Sequence, residues 1–327
     1  MLKTTRKMLS PRTFIDTLLS IPRSLFRPAP IGNNNAVKKS VIPSAGSDLP
    51  LPTDRFQFIR TIDRGQFGTV WEVQDILTGR HLAAKSVIAP SEPSHEKCPE
   101  VLQEQNIMQA LRNPGHPNVI SLHYVYPTDD GHYLVMDLGG PSLRSILQTE
   151  KPFSAPEVAR LMRQLISGIA YMQRLSIQHY DITPDNLLWD GECLKICDFG
   201  RATVQRIRQE EVLFEYMPPE TLSGGCSHNV DIWSAACVMV ELLLGKKLVP
   251  RQQLNRSNSH TPLSRNDRNR MMLKQVKTAF RHIEHCAGTE AAQLFRNMTR
   301  PLKSRATPEA ALAHPFLTAT SPGPVAD

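Results

Sequence analysis

Two short segments hold most of the chemistry available to this chain. His179-Tyr180-Asp181-Ile182-Thr183-Pro184-Asp185-Asn186 is followed closely by Lys195-Ile196-Cys197-Asp198-Phe199-Gly200. A carboxylate, an amide and a second carboxylate in this order suit phosphoryl transfer. Asp181 would accept the proton of an acceptor hydroxyl, while oxygens of Asn186 and Asp198 would ligate Mg2+, with Mn2+ as the alternative. Upstream, Asp63-Arg64-Gly65-Gln66-Phe67-Gly68-Thr69-Val70 reads as a glycine-rich strand-turn-strand. Gly65 and Gly68 would let backbone N–H groups approach phosphate with no Cβ in the way. Leu82-Ala83-Ala84-Lys85 then places a lysine on a β-like run, and Glu104 follows nineteen residues later in a helical pattern. A carboxylate there could hold Lys85 toward the α- and β-phosphates. Taken singly, the glycines make an ordinary hairpin and the lysine an ordinary surface residue. Their order along one chain is what carries the reading.

These residues need elements to hold them. Short β-like runs at Phe56–Ile62, Thr69–Val73, His81–Val87 and Tyr133–Asp137, separated by turn signals, predict a small antiparallel sheet. A helical pattern from Glu100 to Leu111 interrupts them. Beyond Gly139-Gly140-Pro141 the chain turns helical. Ala155–Arg174 repeats apolar residues on one face, and Val230–Leu244 is apolar nearly all round, as in a helix buried within a lobe. The polar stretch 251–270, rich in Arg, Asn and Ser, reads as a surface loop. The expected class is α+β in two lobes, with a small sheet plus one helix and then a larger, mainly helical part.

In motif content and order, residues 56–318 or thereabouts resemble a protein kinase domain of the eukaryotic serine/threonine type. Met217-Pro218-Pro219-Glu220 stands where Ala-Pro-Glu is expected, with Ser304-Arg305-Ala306-Thr307 offering Glu220 an arginine. Val230-Asp231-Ile232-Trp233-Ser234 through Glu241 is most similar to the cyclin-dependent and MAP-kinase-like group, although Met217 replaces the arginine expected there. The resemblance implies a domain over 53–318, with lobes 53–138 and 139–318 between terminal tails 1–52 and 319–327. It implies ATP between the lobes. Ile62, Val70, Ala83 and Leu188 would sandwich the adenine, Met136 would guard the rear pocket, and backbone groups of Asp137, Leu138 and Gly139 would bond its edge. Pro184-Asp185-Asn186 follows the serine/threonine style, and Asp185 would favour a basic residue upstream of the acceptor. Protein substrates and a regulatory partner protein are the partners implied.

Four positions depart from the family pattern. Asp63 replaces the first loop glycine, Tyr180 the catalytic-loop arginine, Thr183 its lysine, and Leu213 the threonine that would contact that lysine. The loss of a cation at the transfer site predicts a slower enzyme. It also leaves open a silent kinase-fold scaffold that acts by binding proteins and, more distantly, a small-molecule kinase. Tyr180 removes the usual receiver of a phosphorylated loop, and no Ser, Thr or Tyr lies between Thr203 and Tyr216.

Composition narrows the remaining classes. Of the formal charge of +7 over 327 residues, +6 lies in residues 1–48, where eight Lys and Arg face Asp16 and Asp48. The basic excess therefore belongs to the tail rather than to a folded face, which argues against nucleic-acid recognition. Phe14, Leu18, Ile21 and Leu25 form a short amphipathic stripe there, suited to a membrane surface or to targeting machinery. No apolar run is long enough for a transmembrane segment. Six cysteines without paired spacing fit a cytoplasmic or other reducing compartment.

Overall fold

The computed structural model describes residues 51, 54–65, 68–88, 99–127, 131–149, 152–204, 215–223, 229–250 and 265–319. The basic tail, Gln66, Phe67 and the Val212-Leu213-Phe214 stretch lie outside these residues. The chain forms two compact units. One holds residues up to Val101 with Leu122–Leu138, and the other holds Leu102–Ser121 with everything from Gly139 onward.

The first unit is a five-stranded antiparallel sheet of β1 (Phe56–Gly65), β2 (Gly68–Asp75), β3 (His81–Ile88), β4 (Leu122–Pro127) and β5 (Gly131–Asp137), in the order β1-β2-β3-β5-β4. Strand β4 joins the four that the sequence pattern indicates. Its Leu122-His123-Tyr124-Val125-Tyr126-Pro127 run buries only Leu122 fully, so apolar alternation gives little sign of it. Side chains alternate across a strand, so pairing register decides which residues share a face. Val73, Leu82, Ala84, Tyr133 and Val135 form one face, packed with Leu51 and Phe56 into a core edged by Phe58, Trp71, Tyr124 and Tyr126. Val70 opposite Lys85 and Ala83 opposite Met136 put these four on the other face. The sheet thus separates a hydrophobic core from the residues singled out for nucleotide contact.

The second unit is helical. Helix α1 (Pro99–Leu111) belongs to it from Leu102 on, followed by α2 (Leu143–Thr149) and α3 (Ala155–Arg174). At the start of α3, the Glu157 carboxylate accepts from the Ser154 backbone N–H at 2.8 Å and its hydroxyl at 2.6 Å, a capping box before the buried stripe. A short hairpin follows, β6 (Leu187–Trp189) with β7 (Leu194–Ile196), and then α4 (Val230–Leu244), buried along almost its whole length. Helix α4 ends at Gly245, whose φ of 65° is the left-handed conformation that glycine adopts cheaply. Helix α5 (Arg265–Met298) contains a break at Gly288, with short α6 (Pro308–Leu312) and α7 (Pro315–Thr318) after it. The surface-loop expectation for 251–270 is corrected at its end, where residues 265–270 open α5. Asn266, Asp267 and Arg270 there face solvent, and an exposed helix needs no apolar stripe at its start. Among the described residues, no helix is long and apolar enough to cross a membrane.

Candidate active site

In the second unit, the chain around Asp181 is tied down by buried polar contacts. Asp231, in the first turn of α4 and only 3% exposed, accepts the backbone N–H of His179 at 2.8 Å and that of Tyr180 at 3.0 Å. Those bonds hold Tyr180 at φ 60°, a left-handed conformation that is costly for a bulky side chain. Burial pushes the Asp231 carboxyl up, opposed by His179 and by the same two backbone bonds. The His179 ring accepts from the Asp181 N–H at Nδ1 (3.3 Å) and faces the Cys197 carbonyl from Nε2 (3.0 Å), so the Nε2–H tautomer satisfies both. Its ring also packs on Phe199, fully buried, at 5.0 Å between centroids.

Asp181 is then oriented from below. Asn186, at the end of the short 3-10 turn Pro184–Asn186, donates its amide to the Asp181 carbonyl at 2.9 Å and to Oδ2 at 3.0 Å. Burial pushes the Asp181 carboxyl above its usual value. The nearby Asp198 charge adds to this, while His179, Arg201 and Asn186 oppose it. Because Asn186 commits its NH2 group to Asp181, its Oδ1 is left as an acceptor. Beside the Asp198 carboxylate, that is a donor set of hard oxygens suited to a small divalent cation.

Asp198 takes φ 62°, and its Oδ1 accepts from the Gly200 N–H at 3.4 Å. A methyl group placed on Gly200 would lie 3.4 Å from Asp198 Oδ1 and 4.0 Å from Glu104 Oε2, so both carboxylates flank one glycine. Glu104 is buried on α1, and its neighbour Gln103 donates to the Ala202 carbonyl at 2.6 Å. Thr203 pairs its backbone with Gln178 at 2.9 and 3.0 Å. The segment after Phe199 is thus fixed on both sides. Glu104, Asp181, Asn186 and Asp198 come together within this unit, and Leu188 packs so closely on Gly139 that a side chain there would collide with it.

In the first unit, Lys85 and Ala83 share the site-bearing sheet face with Val70 and Met136. Ile62 sits at a register shift between Thr61 and Asp63 and is 42% exposed. Asp63 folds back to accept the Arg64 N–H at 2.8 Å. The reason for glycine at 68 is steric and local. With φ 130°, any Cβ would overlap the Ser86 carbonyl oxygen, while Ser86 Oγ accepts the Thr69 N–H at 3.1 Å. The Asp137 side chain is held by His123 at 2.7 Å and Arg80 at 3.9 Å, within the sheet unit. No sequence motif points to His123, because only strand pairing brings it to Asp137.

Two departures acquire a physical context. Tyr180 is buried in an apolar cluster with Met217 and Val230, where an arginine would meet no charge in that cluster. The Arg305–Glu220 pair expected from the resemblance forms at 2.6 Å, with the guanidinium also on the Asn229 carbonyl and above Trp233. A further arginine, Arg144, reaches Asp185, Tyr216 and Glu241, a grouping that no motif spacing indicates.

A protein kinase domain model matches residues 56–317. Over 206 residues the chain is 34% identical to the mitogen-activated protein kinase HOG1 of Blumeria graminis, covering 61% of this chain and 56% of that protein. It is 33% identical over 220 residues to the mitogen-activated protein kinase sty1 of Schizosaccharomyces pombe, covering 64% and 61%. Against cyclin-dependent kinase G1 of Arabidopsis thaliana it is 34% identical over 210 residues, covering 60% and 34%. The chain spans about half the length of the mitogen-activated relatives it matches, and less of the cyclin-dependent one. The motif order, the sheet and helical units and the span of the match converge, and the chain belongs to the protein kinase family.

Proposed function

We propose that this chain is an ATP-dependent protein kinase that transfers the γ-phosphate of Mg-ATP to Ser or Thr hydroxyls of protein substrates. The observation that carries the reading is the grouping of Asp181, Asn186, Asp198 and Glu104 around one buried, hydrogen-bonded segment. Asp181, oriented through both its carbonyl and its carboxylate, receives the acceptor hydroxyl's proton. Asp198 and the Oδ1 of Asn186 would hold a divalent cation, which would neutralise charge on the phosphates. Lys85 supplies the fixed cation to the nucleotide. The family resemblance supports the segment from Asp63 to Val70 as phosphate contacts, Ile62, Val70, Ala83, Leu188 and Met136 as adenine contacts, and backbone groups of Asp137, Leu138 and Gly139 as partners of the adenine edge.

Thr183 in place of a lysine makes the transfer slower than in relatives that keep that cation. The similarity to mitogen-activated and cyclin-dependent kinases supports a regulatory partner protein. The basic tail supports contact with a membrane surface or targeting machinery from a reducing compartment. Incubating the purified chain with radiolabelled ATP, Mg2+ and a mixed protein substrate tests the reading. Label should appear on Ser or Thr, and Lys85→Met should reduce it to background with no change in melting temperature. Nucleotide binding without transfer would make the chain a kinase-fold scaffold instead.

A further inference from the structure

Arg144, on α2, meets three groups that come from three distant parts of the second unit. Its Nε donates to Asp185 Oδ2 at 3.2 Å, and an Nη donates to the Tyr216 hydroxyl at 2.8 Å. Both Nη groups engage the two oxygens of Glu241 on α4. The Tyr216 hydroxyl in turn donates to Glu241 Oε2 at 2.6 Å. The Glu241 side chain is 6% exposed and the Arg144 side chain 20%, whereas the Asp185 side chain is 57% exposed. A carboxylate as buried as Glu241 must be paired, and a planar guanidinium satisfies both its oxygens at once.

The position of this cluster gives it a role. Asp185 lies beside Asn186, whose amide holds Asp181, and Tyr216 precedes Met217-Pro218-Pro219. These segments flank the place where an acceptor hydroxyl must reach Asp181. Two carboxylates and a phenol there would otherwise make a receptor for a guanidinium on the substrate. The chain fills that receptor with a guanidinium of its own.

Resting on the protein kinase reading, we propose that Arg144 is a specificity-determining residue, a built-in occupant of the acidic subsite that would otherwise select a basic residue upstream of the acceptor. Substrates are consequently segments chosen without regard to an upstream arginine, in place of the basic preference expected from Asp185 alone. An incoming arginine would have to displace Arg144 from Glu241. At the outer edge it would find only Asp185, which is solvated and already paired.

The test uses serine peptides paired so that each carries either arginine or its neutral isostere citrulline at successive upstream positions. Wild-type kcat/KM should agree within about twofold across each pair. Arg144→Gln, checked for an unchanged melting temperature, should favour the arginine peptide by about tenfold, the effect of one charge-assisted hydrogen bond. A wild-type preference near tenfold overturns the inference, as does a folded Arg144→Gln that discriminates no better than wild type. Should Arg144→Gln fail to fold, Asp185→Asn decides. The arginine-to-citrulline ratio should stay where wild type has it, and a fall overturns the inference. Absence of transfer to every peptide would refute the kinase reading instead. The same pairs, competed for binding by fluorescence anisotropy, would then decide the subsite by the same ratios.

Discussion

The segment around Asp181 and the β1–β2 hairpin both bear residues assigned to phosphate chemistry, yet they are held by opposite means. Around Asp181 the ties are buried and polar: Asp231 on two backbone N–H groups, His179 between Asp181 and Cys197, and Asn186 on Asp181. In the hairpin the polar ties lie at the surface, as with Asp63 on Arg64, or rest on a single hydroxyl, as with Ser86 on Thr69. Low-dielectric surroundings strengthen the first kind and make its loss expensive, whereas solvent competes for the exposed Asp63 bond. The lesson is that the segment bearing the proposed base is pre-organised by the fold, while the hairpin is held by lighter ties.

That contrast is broken most severely at the carboxylate proposed to bind metal. Asp198→Asn removes a charged oxygen from the set proposed to hold Mg2+. Transfer should fall by about a thousandfold, roughly 4 kcal/mol, with circular dichroism unchanged. Retention of both rate and metal dependence would move the metal site elsewhere. Asp231→Ala attacks the ties without touching the chemistry. It leaves two buried N–H groups unsatisfied beside a strained Tyr180, and should cost about 3 kcal/mol in urea unfolding, with a loss of kcat as Asp181 loosens. If stability holds and only rate falls, Asp231 acts on the reaction rather than on the fold.

How much of this was legible in the sequence follows from the same physics. Helices α3 and α4 keep their expected bounds because a long apolar stripe and a run apolar nearly all round leave no other solution. Strand β4 did not announce itself, since its half-buried Tyr124 and Tyr126 blur the alternation. The Glu220–Arg305 pair was readable only because the family register ties two distant motifs. Arg144 was not readable at all: Asp185, Tyr216 and Glu241 lie far from it in the chain and meet it only after helices pack. Gly68 was legible as a required glycine, but nothing in the sequence signals that the Ser86 carbonyl also demands it.

A smaller effect sharpens the comparison on the sheet side. Glu72 on β2 pairs with His81 at 2.7 Å and Arg60 at 2.8 Å, and both partners are largely solvent-exposed. The hydrogen bond from His81 holds the Glu72 carboxyl below its usual value, outweighing burial, with Arg60 adding to it. A carboxyl lowered by folding stabilises the fold once ionised, and that contribution disappears as pH falls through the lowered value. Glu72→Gln should therefore cost about 0.5–1 kcal/mol at neutral pH, a figure kept small by solvent screening. The gap from wild type should close as the solution is acidified below the ordinary carboxylate value of 4.5, and narrow in high salt. A gap that persists in acid would assign the loss to packing.

The smallest expected effect is none, and it concerns phosphate. A kinase that depends on a phosphorylated loop needs an acceptor there and a cation beside the catalytic aspartate to receive it. Between Thr203 and Tyr216 the sequence has no Ser, Thr or Tyr. Thr203 is buried and backbone-paired with Gln178, and the Tyr216 hydroxyl is engaged by Glu241 and Arg144. Next to Asp181, Tyr180 packs with Met217 and Val230, so a phenol among these apolar side chains stands in the receiving position in place of a guanidinium. A phosphate brought there would lose its hydration without gaining a counter-charge from that cluster. Phosphatase treatment of the purified chain should accordingly leave its turnover unchanged. A fall to background would refute phosphate-independent order. Activity that returns only on adding a binding protein would transfer the ordering role to that partner. Tyr180→Arg sharpens the point from the other side. It places a charge in the apolar cluster and should lower the melting temperature without conferring sensitivity to phosphatase.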